Sequence, residues 1–127
     1  MVIEDEEDIR SILQFSLENL GHFTVKLCES GKVGLKEIKD FFPDIVLVDV
    51  MMPEMDGIET LKAIRKLPEV KFIPIVFITA KVQPHEVIQY KKLGALDVIS
   101  KPFDPLALPE KLQQIWLECS HESISAE

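Results

Sequence analysis

The sequence predicts one α/β domain, a parallel five-stranded sheet with helices on both faces. Short runs of β-branched and aliphatic residues alternate, from end to end, with segments whose apolar residues recur three and four positions apart. The connecting segments have the length of helices, which implies parallel strands joined by right-handed crossovers. Because such helices must pack on both faces, the sheet is doubly wound, and 127 residues suffice for one core.

Five apolar runs are the predicted strands. The run at 45–50 is continuous and aliphatic, which is typical of a strand buried on both faces of a parallel sheet. The run at 2–3 is short, which suggests that the chain starts slightly late in its first strand. The predicted strands are residues 2–3, 23–27, 45–50, 75–79 and 98–100.

The segments between these runs are the predicted helices. Four of them end at a helix-stopping residue, namely Gly21, Pro43, Pro68 or Gly94. The last helix is expected to start near Pro105 and to carry the apolar residues of the C-terminal region. We assign residues 1–119 to the domain and residues 120–127 to a polar C-terminal tail.

Composition excludes several classes of function. The net charge of −8 argues against direct binding to a nucleic-acid backbone or to an anionic membrane surface. No segment approaches the roughly 20 apolar residues of a membrane span, and acidic residues begin where a signal peptide would be apolar. Cys28 and Cys119 have no metal-binding or redox spacing, so we expect reduced thiols in a cytoplasmic protein.

Polar side chains follow four of the five predicted strands. Glu4 and Asp5 follow the first, Asp49 closes the third, Thr79 closes the fourth and Lys101 follows the fifth. The carboxyl ends of parallel strands share one edge of the sheet, where ligands bind in open α/β folds. Three neighbouring carboxylates repel one another, and Mg²⁺ is a suitable cation because it takes a few carboxylates and keeps waters for a phosphate to replace.

The charges at this edge predict phosphoryl chemistry. The three acidic residues supply three negative charges, and a divalent ion with Lys101 supplies three positive charges, so the site would be nearly neutral and could accept a phosphoryl group. Asp49 would be the nucleophile, since an aspartate with a pKa of about 3.9 is already ionised and needs no general base. The cation and the lysine would offset its repulsion from an anionic donor.

Four segments carry a resemblance to a known family. Because these segments occur in the order typical of the family, the chain resembles a response-regulator receiver domain over essentially its whole length. Such domains have a flavodoxin-like (βα)₅ fold. The family is that of bacterial two-component phosphorelays. The segments are Val2-Ile3-Glu4-Asp5-Glu6, Val48-Asp49-Val50-Met51-Met52-Pro53-Glu54-Met55-Asp56-Gly57, Phe77-Ile78-Thr79-Ala80 and Ser100-Lys101-Pro102-Phe103.

The resemblance implies a role for each residue at this edge. Asp49 would be the phosphoacceptor, served by a sensor histidine kinase or a histidine phosphotransfer protein. Glu4 and Asp5 would hold Mg²⁺ with Asp49 and the backbone carbonyl of Met51. Thr79 would hydrogen-bond one phosphoryl oxygen and Lys101 would pair with another. The family also often has a cis peptide before the proline that follows this lysine, here Pro102.

Two positions depart from the family pattern. Glu4 stands where many members have aspartate; its longer side chain would still supply an oxygen, through a water molecule. Val98 stands where members often have tyrosine or phenylalanine, an aromatic that changes rotamer together with the threonine. An aromatic swing cannot occur at Val98, so the output step should differ from that pattern or depend on loop movement.

The expected output is binding rather than catalysis. We expect a stand-alone receiver that is not an enzyme, that switches the binding of a downstream protein, and that could dimerise through the face of the fourth helix, fifth strand and fifth helix. A metal-dependent phosphatase is the enzymatic alternative, but Met51 occupies the position of the second acid that such enzymes need. A nucleotide binder would lack its anion loop, since residues 4–8 are acidic. A non-phosphorylated docking module is the remaining alternative.

Overall fold

Five parallel strands form one sheet in the order β2-β1-β3-β4-β5. This computed structural model describes the backbone of residues 1–125 and the side chains of residues 1–119. The predicted doubly wound α/β fold is confirmed, because each strand is followed by a helical crossover and every strand pair is parallel. The strands are β1 (Val2–Ile3), β2 (Leu27–Cys28), β3 (Val46–Asp49), β4 (Ile75–Thr79) and β5 (Asp97–Ser100).

Capping residues mark an end of α2, α3 and α4. Asp56 caps α3 through a capping box with Glu59, and Ser30 caps α2 by accepting from the amide of Val33. Gly94 ends α4 in the left-handed conformation that glycine adopts without strain. The helices are α1 (Glu7–Gln14), α2 (Gly31–Phe41), α3 (Gly57–Arg65), α4 (Pro84–Leu93) and α5 (Leu108–Ser125), and a π-helical segment, Phe15–Leu20, continues α1.

Two apolar clusters lie on opposite faces of the sheet. One packs β-strand residues such as Ile3, Val48 and Phe77 against α2, α3 and α4. The other packs Val2, Leu47 and Val76, among others, against α1 and α5. Alternating residues of the same strands enter different clusters, as the period of two in a strand requires. Both faces of the central strands are therefore buried, which explains their continuous apolar sequence.

The second strand differs from its prediction. Its ladder covers only Leu27–Cys28, whereas the apolar pattern predicted residues 23–27. Leu27 and Cys28 pair with Val2 and Ile3, and within the described residues the ladder does not include positions 23–25. The prediction was wrong in its bounds because a strand exists only where a neighbour supplies hydrogen bonds, and propensity does not reveal that neighbour.

The C-terminal helix also differs from the prediction in its bounds. It begins at Leu108, because a turn closed by the side chain of Asp104 on the amide of Leu106 precedes it. Its backbone remains helical to Ser125, past the residue at which we placed the end of the domain. The predicted polar tail, 120–127, lies outside the described side chains, and 126–127 lie outside the described backbone as well. Within the described part of the chain, no helix is long and apolar enough to cross a membrane.

The start of α3 approaches the end of β3 closely. The amide of Gly57 donates to the carbonyl of Val50 at 2.9 Å. A Cβ atom at Gly57 would lie 2.5 Å from the carbonyl oxygen of Asp49 and 2.7 Å from Cα of Val50. Both atoms belong to the backbone, so the chain would have to shift to admit a side chain here. Gly57 therefore fixes how closely α3 packs on the strand end that carries Asp49.

We predict that Gly57→Ala destabilises the domain, although alanine is the better helix former. Overpacking against backbone costs about 1–3 kcal/mol, which outweighs the propensity gain of about 1 kcal/mol or less. Urea unfolding measures the change. Lys62→Ala, at an exposed position of the same helix, is the control and should change the free energy of unfolding by less than about 0.5 kcal/mol. A Gly57→Ala protein as stable as the parent would refute the close approach.

Candidate functional site

The carboxyl edge of the sheet brings the five predicted site residues to one place. Asp49 and Thr79 are the last residues of β3 and β4, and the other three follow β1 and β5 directly. The backbone ties these ends together. The amide of Val50 donates to the carbonyl of Ile78 at 3.2 Å, and the amide of Lys101 donates to the carbonyl of Thr79 at 2.9 Å. The parallel register therefore positions the site.

Lys101 links the two most buried carboxylates. Its Nζ lies 2.8 Å from Oε1 of Glu4 and 3.1 Å from Oδ2 of Asp49. The Glu4 side chain is 0% exposed, that of Asp49 is 3% exposed and that of Lys101 is 18% exposed. Burial lowers the pKa of Lys101, but its hydrogen bonds to the two carboxylates outweigh that effect, so the pKa is raised overall. The ammonium therefore stays charged and compensates part of the buried negative charge.

Glu4 is the most buried of the three acids. Desolvation raises the pKa of its carboxyl, the hydrogen bond from Lys101 opposes that rise, and the neighbouring Asp49 adds to it. Oε2 of Glu4 also accepts from the amide of Glu6 at 3.3 Å. We expected Glu4 to reach a cation through water, and its direct partner in this structure is the lysine.

Asp49 is held by partners on both of its oxygens. Oδ1 accepts from the amide of Met51 at 3.1 Å, and Oδ2 faces the ammonium of Lys101. A carboxylate has about four lone-pair sites, so each oxygen keeps one that these bonds do not use. The carboxylate is thus oriented and still able to bind a cation or attack an electrophile.

Asp5 supplies the observation that points to a cation. Its Oδ1 is buried and has no hydrogen-bond partner among the residues that the structure describes. Burial, and then the neighbouring Glu4, raise the pKa of the Asp5 carboxyl. One oxygen from each of Glu4, Asp5 and Asp49 lies within 4.8 Å of the others. Three oxygen donors converging with one left unpaired suit a hard divalent ion such as Mg²⁺.

Thr79 is fully buried at the end of β4. Its Oγ1 accepts from the amide of Lys81 at 3.1 Å. The hydroxyl proton donates to no acceptor within the described residues, so it remains available for an oxygen bound at this edge.

The side chain of Met51, by contrast, is 59% exposed and turns to solvent. The predicted contribution of Met51 is its backbone carbonyl, which stays a prediction.

Arg10 also belongs to this site, although no sequence pattern singled it out. Its Nη1 donates to the carbonyl of Glu4 at 2.9 Å and to that of Asp5 at 2.8 Å. The guanidinium therefore clamps the backbone from which both acids project. An arginine in the first helix after an acidic turn is common, and only the fold shows that it reaches back. The expected cis peptide is confirmed between Lys101 and Pro102.

Comparison with known proteins decides the family. The response regulator receiver domain family matches residues 1–113, most of the chain. The chain is a response regulator receiver domain. Its structure resembles Vibrio cholerae chemotaxis protein CheY4, with a TM-score of 0.82 and 31% identity over 90% of this chain and 94% of that one. The receiver domain of NtrX from Brucella abortus gives a TM-score of 0.78 and 27% identity, covering 91% and 95%.

Relatives of this receiver domain include longer regulators. The alkaline phosphatase synthesis transcriptional regulatory protein PhoP of Bacillus subtilis is 35% identical over 91% of this chain and 47% of its own length. AfsQ1 of Streptomyces coelicolor, also a transcriptional regulatory protein, is 32% identical over 97% and 53%. The chain spans about half the length of both regulators. An uncharacterized 14.6 kDa protein of Leptolyngbya boryana is 33% identical over 92% and 88%.

We predict that Lys101→Met destabilises the receiver domain in metal-free buffer by roughly 1.5–3 kcal/mol, the value of hydrogen bonds to charged groups. The reason is that Glu4 and Asp49 lose their only charged partner within the described residues. Asp49→Asn should be neutral or stabilising, because it removes one of three crowded negative charges. Urea unfolding of both variants measures the contrast.

Lys81→Met is the matched control, since Lys81 is exposed and only two positions past Thr79. Its free energy of unfolding should stay within about 0.5 kcal/mol of the parent. Equal stability of Lys101→Met and Lys81→Met would contradict the charge balance described above.

Proposed function

We propose that this receiver domain accepts a phosphoryl group on Asp49 from the phosphohistidine of a sensor histidine kinase or a histidine phosphotransfer protein. The observation that carries the proposal is an oriented, almost fully buried carboxylate, 3.1 Å from a lysine and beside two further acids. Membership of the receiver family supports phosphorylation of an aspartate, and Asp49 is the aspartate that closes the central strand β3.

Mg²⁺ is the proposed cofactor. Glu4, Asp5, Asp49 and the backbone carbonyl of Met51 would hold it, and the unpaired Oδ1 of Asp5 is the atom that most clearly lacks a partner in the described chain. When bound, the ion would neutralise charge on the phosphoryl oxygens. With Lys101 as their only cation, the three acids would keep an excess of negative charge. An anionic donor would therefore be repelled in the absence of the ion.

The chain's own residues then account for the transfer. A carboxylate oxygen of Asp49 forms the new bond to phosphorus while the phosphorus–nitrogen bond of the donor breaks, and the bonding electron pair leaves with the imidazole nitrogen. The Thr79 hydroxyl donates to one phosphoryl oxygen. The Lys101 ammonium leaves its carboxylate partners and pairs with a second phosphoryl oxygen. No general base is required, because a carboxylate nucleophile has no proton that must be removed.

The proposed output is altered binding of a downstream protein in the cytoplasm. The candidate surface is formed by α4, β5 and α5, which could also support dimerisation. Leu106, in the loop that leads into α5, is 76% exposed, and Ile88 on α4 is 55% exposed, so this region offers apolar contact area. Direct binding to nucleic acid is not proposed, since the net charge is −8.

A phosphatase and a docking module are the competing functions. A phosphatase would need a general acid near Asp49, and Met51 occupies the relevant position with an apolar side chain. A docking module would need neither the buried lysine nor the cluster of acids. We therefore propose slow self-catalysed dephosphorylation rather than enzymatic turnover.

We predict that acetyl phosphate with Mg²⁺ adds one phosphoryl group to the chain, seen by intact mass spectrometry. Asp49→Asn should give no adduct, since the amide is not a nucleophile. Asp44→Asn is the matched control, because Asp44 is an exposed aspartate just before the opposite end of β3. It should be phosphorylated like the parent.

Each alternative has its own result in this experiment. Continuous release of phosphate, with no adduct accumulating, would favour the phosphatase. Absence of an adduct in the parent chain, with every donor and metal condition tried, would favour the docking module. An adduct that persists in Asp49→Asn would place the phosphoacceptor elsewhere.

We predict that Asp5→Asn weakens Mg²⁺ binding roughly tenfold or more, equivalent to about 1.4 kcal/mol. The carboxylate that lacks a partner is replaced by a neutral amide, which is a poorer ligand for a hard cation. Isothermal titration calorimetry with MgCl₂ measures the dissociation constant. Asp8→Asn, in the exposed first turn of α1, is the control and should bind as the parent does. Equal affinities for both variants would remove Asp5 from the metal site.

A further inference from the structure

Ser16 is a fully buried polar residue to which the proposed phosphoryl transfer assigns no role. Its side chain is 0% exposed, and it lies in the π-helical segment that continues α1. A serine inside a helix can bond to the carbonyl of the preceding turn. Here its Oγ donates across the domain instead, to the carbonyl of Pro105 at 2.6 Å. The hydroxyl therefore joins the first helix to the loop that follows β5.

The carbonyl of Pro105 needs a donor from outside its own helix. The turn before α5 already follows a helical path, since the amide of Leu108 donates to the carbonyl of Asp104 at 3.0 Å. In the same register, the donor for Pro105 would be the amide four positions later, and that residue is Pro109, which has no N–H. The hydroxyl of Ser16 supplies the missing donor, so each of the two buried groups satisfies the other.

The loop that this bond holds begins at Lys101. The amide of Lys101 makes the last ladder bond to β4, and residues 102–103 make no backbone–backbone hydrogen bond within the described part of the chain. The ring of Phe103 is partly buried against the apolar cluster that α1 and α5 cover. The position of the loop over α1 therefore depends on this ring and on the bond from Ser16 to the carbonyl of Pro105.

We propose that Ser16 is a positioning residue for phosphoryl transfer: through the carbonyl of Pro105 it fixes the loop behind Lys101, and so the point from which the ammonium reaches. This inference rests on the proposed function, in which Lys101 leaves Glu4 and Asp49 for a phosphoryl oxygen. While the ammonium changes partners, its contacts do not hold the loop, and the backbone anchor keeps the stem of the lysine in place. A misplacement of about 1 Å can slow a reaction about 100-fold, so a loosened loop should slow the transfer measurably.

Ser16→Ala is the test variant, because it removes the hydroxyl and otherwise leaves the shape of the side chain unchanged. We expect the rate constant for phosphorylation by acetyl phosphate at saturating Mg²⁺ to fall roughly three- to tenfold, as measured by intact mass spectrometry. The Mg²⁺ concentration that gives half the maximal rate should remain that of the parent, because the proposed metal ligands follow or close other strands. A loss of rate without a change in metal affinity is the signature of a misplaced lysine.

Two control variants separate positioning from a loss of stability. Ser11→Ala removes an exposed hydroxyl from the same helix and should react as the parent does. Ile38→Val removes one methylene from the apolar cluster on the opposite face of the sheet, and it should lower the urea midpoint as Ser16→Ala does. It should nevertheless be phosphorylated at the parent rate. Equal slowing in Ile38→Val and Ser16→Ala would overturn the proposal, since both would then report stability alone.

Pro109→Ala tests whether the effect passes through the carbonyl of Pro105. This variant restores an amide that can donate to that carbonyl in the helical register. In the Pro109→Ala background, removal of the Ser16 hydroxyl should therefore slow phosphorylation by less than about twofold, which a double-mutant cycle measures as coupling between the two positions. An undiminished effect of Ser16→Ala in this background would overturn the proposed route.

Hydrogen exchange of the unphosphorylated domain gives an independent readout. Ser16→Ala should speed exchange at the amides of Lys101 and Leu106, one at the start of the loop and one beyond Pro105. The amide of Val50, which donates to β4 at the neighbouring strand end, should stay as protected as in the parent. Unchanged exchange at Lys101 and Leu106 would overturn the proposal. Absence of a phosphoryl adduct in the parent would instead refute the proposed function, and the exchange measurement, which needs no phosphoryl group, separates the two failures.

Discussion

The charge balance at the carboxyl edge of the sheet is the constraint on which the rest of this receiver domain depends. Three carboxylates lie within 4.8 Å of one another, and a single ammonium contacts two of them. Burying such charges is costly unless they are paired, and here the pairing is incomplete. The third acid, Asp5, keeps a buried oxygen without a partner in the described chain. The fold therefore holds a site that a divalent cation would complete and that an anionic phosphoryl group could then enter.

Topology is what makes this arrangement possible. Lys101 and Glu4 are separated by 97 positions in the sequence, yet their side chains meet at 2.8 Å. Each follows a parallel strand, and the carboxyl ends of these strands lie at one edge. That rule was sufficient to predict from the sequence that Glu4, Asp5, Asp49, Thr79 and Lys101 would converge. It holds whatever the exact packing, because it depends only on strand direction.

The pairing within the site could not be predicted in the same way. Whether Lys101 contacts Glu4, Asp49 or solvent depends on distances between strands β1, β3 and β5, and the sequence contains no such distances. The clamp from Arg10 to the carbonyls of Glu4 and Asp5 is a similar case. The predicted bounds of β2 were wrong for a related reason. A ladder needs a partner strand, and the apolar pattern of residues 23–27 does not show which of them have one. Strand β4, with neighbours on both sides, has the predicted bounds, and β3 covers Val46–Asp49 within the predicted run at 45–50.

Val98 bears on the proposed route from the site to the rest of the molecule. A valine at this position leaves no aromatic ring that could change rotamer beside Thr79. The aromatic packing in this region lies instead between β4 and α4, where the rings of Phe77 and Tyr90 meet edge to face with centroids 5.4 Å apart. Val98 pairs with Phe77 across the β4–β5 ladder and packs against the same cluster. Thr79 is two residues beyond Phe77 on the same strand, so a rearrangement at Thr79 that reaches α4 must either preserve this contact or break it. Because packed interiors resist continuous deformation, we expect this contact to respond to a rearrangement at the proposed phosphoryl site.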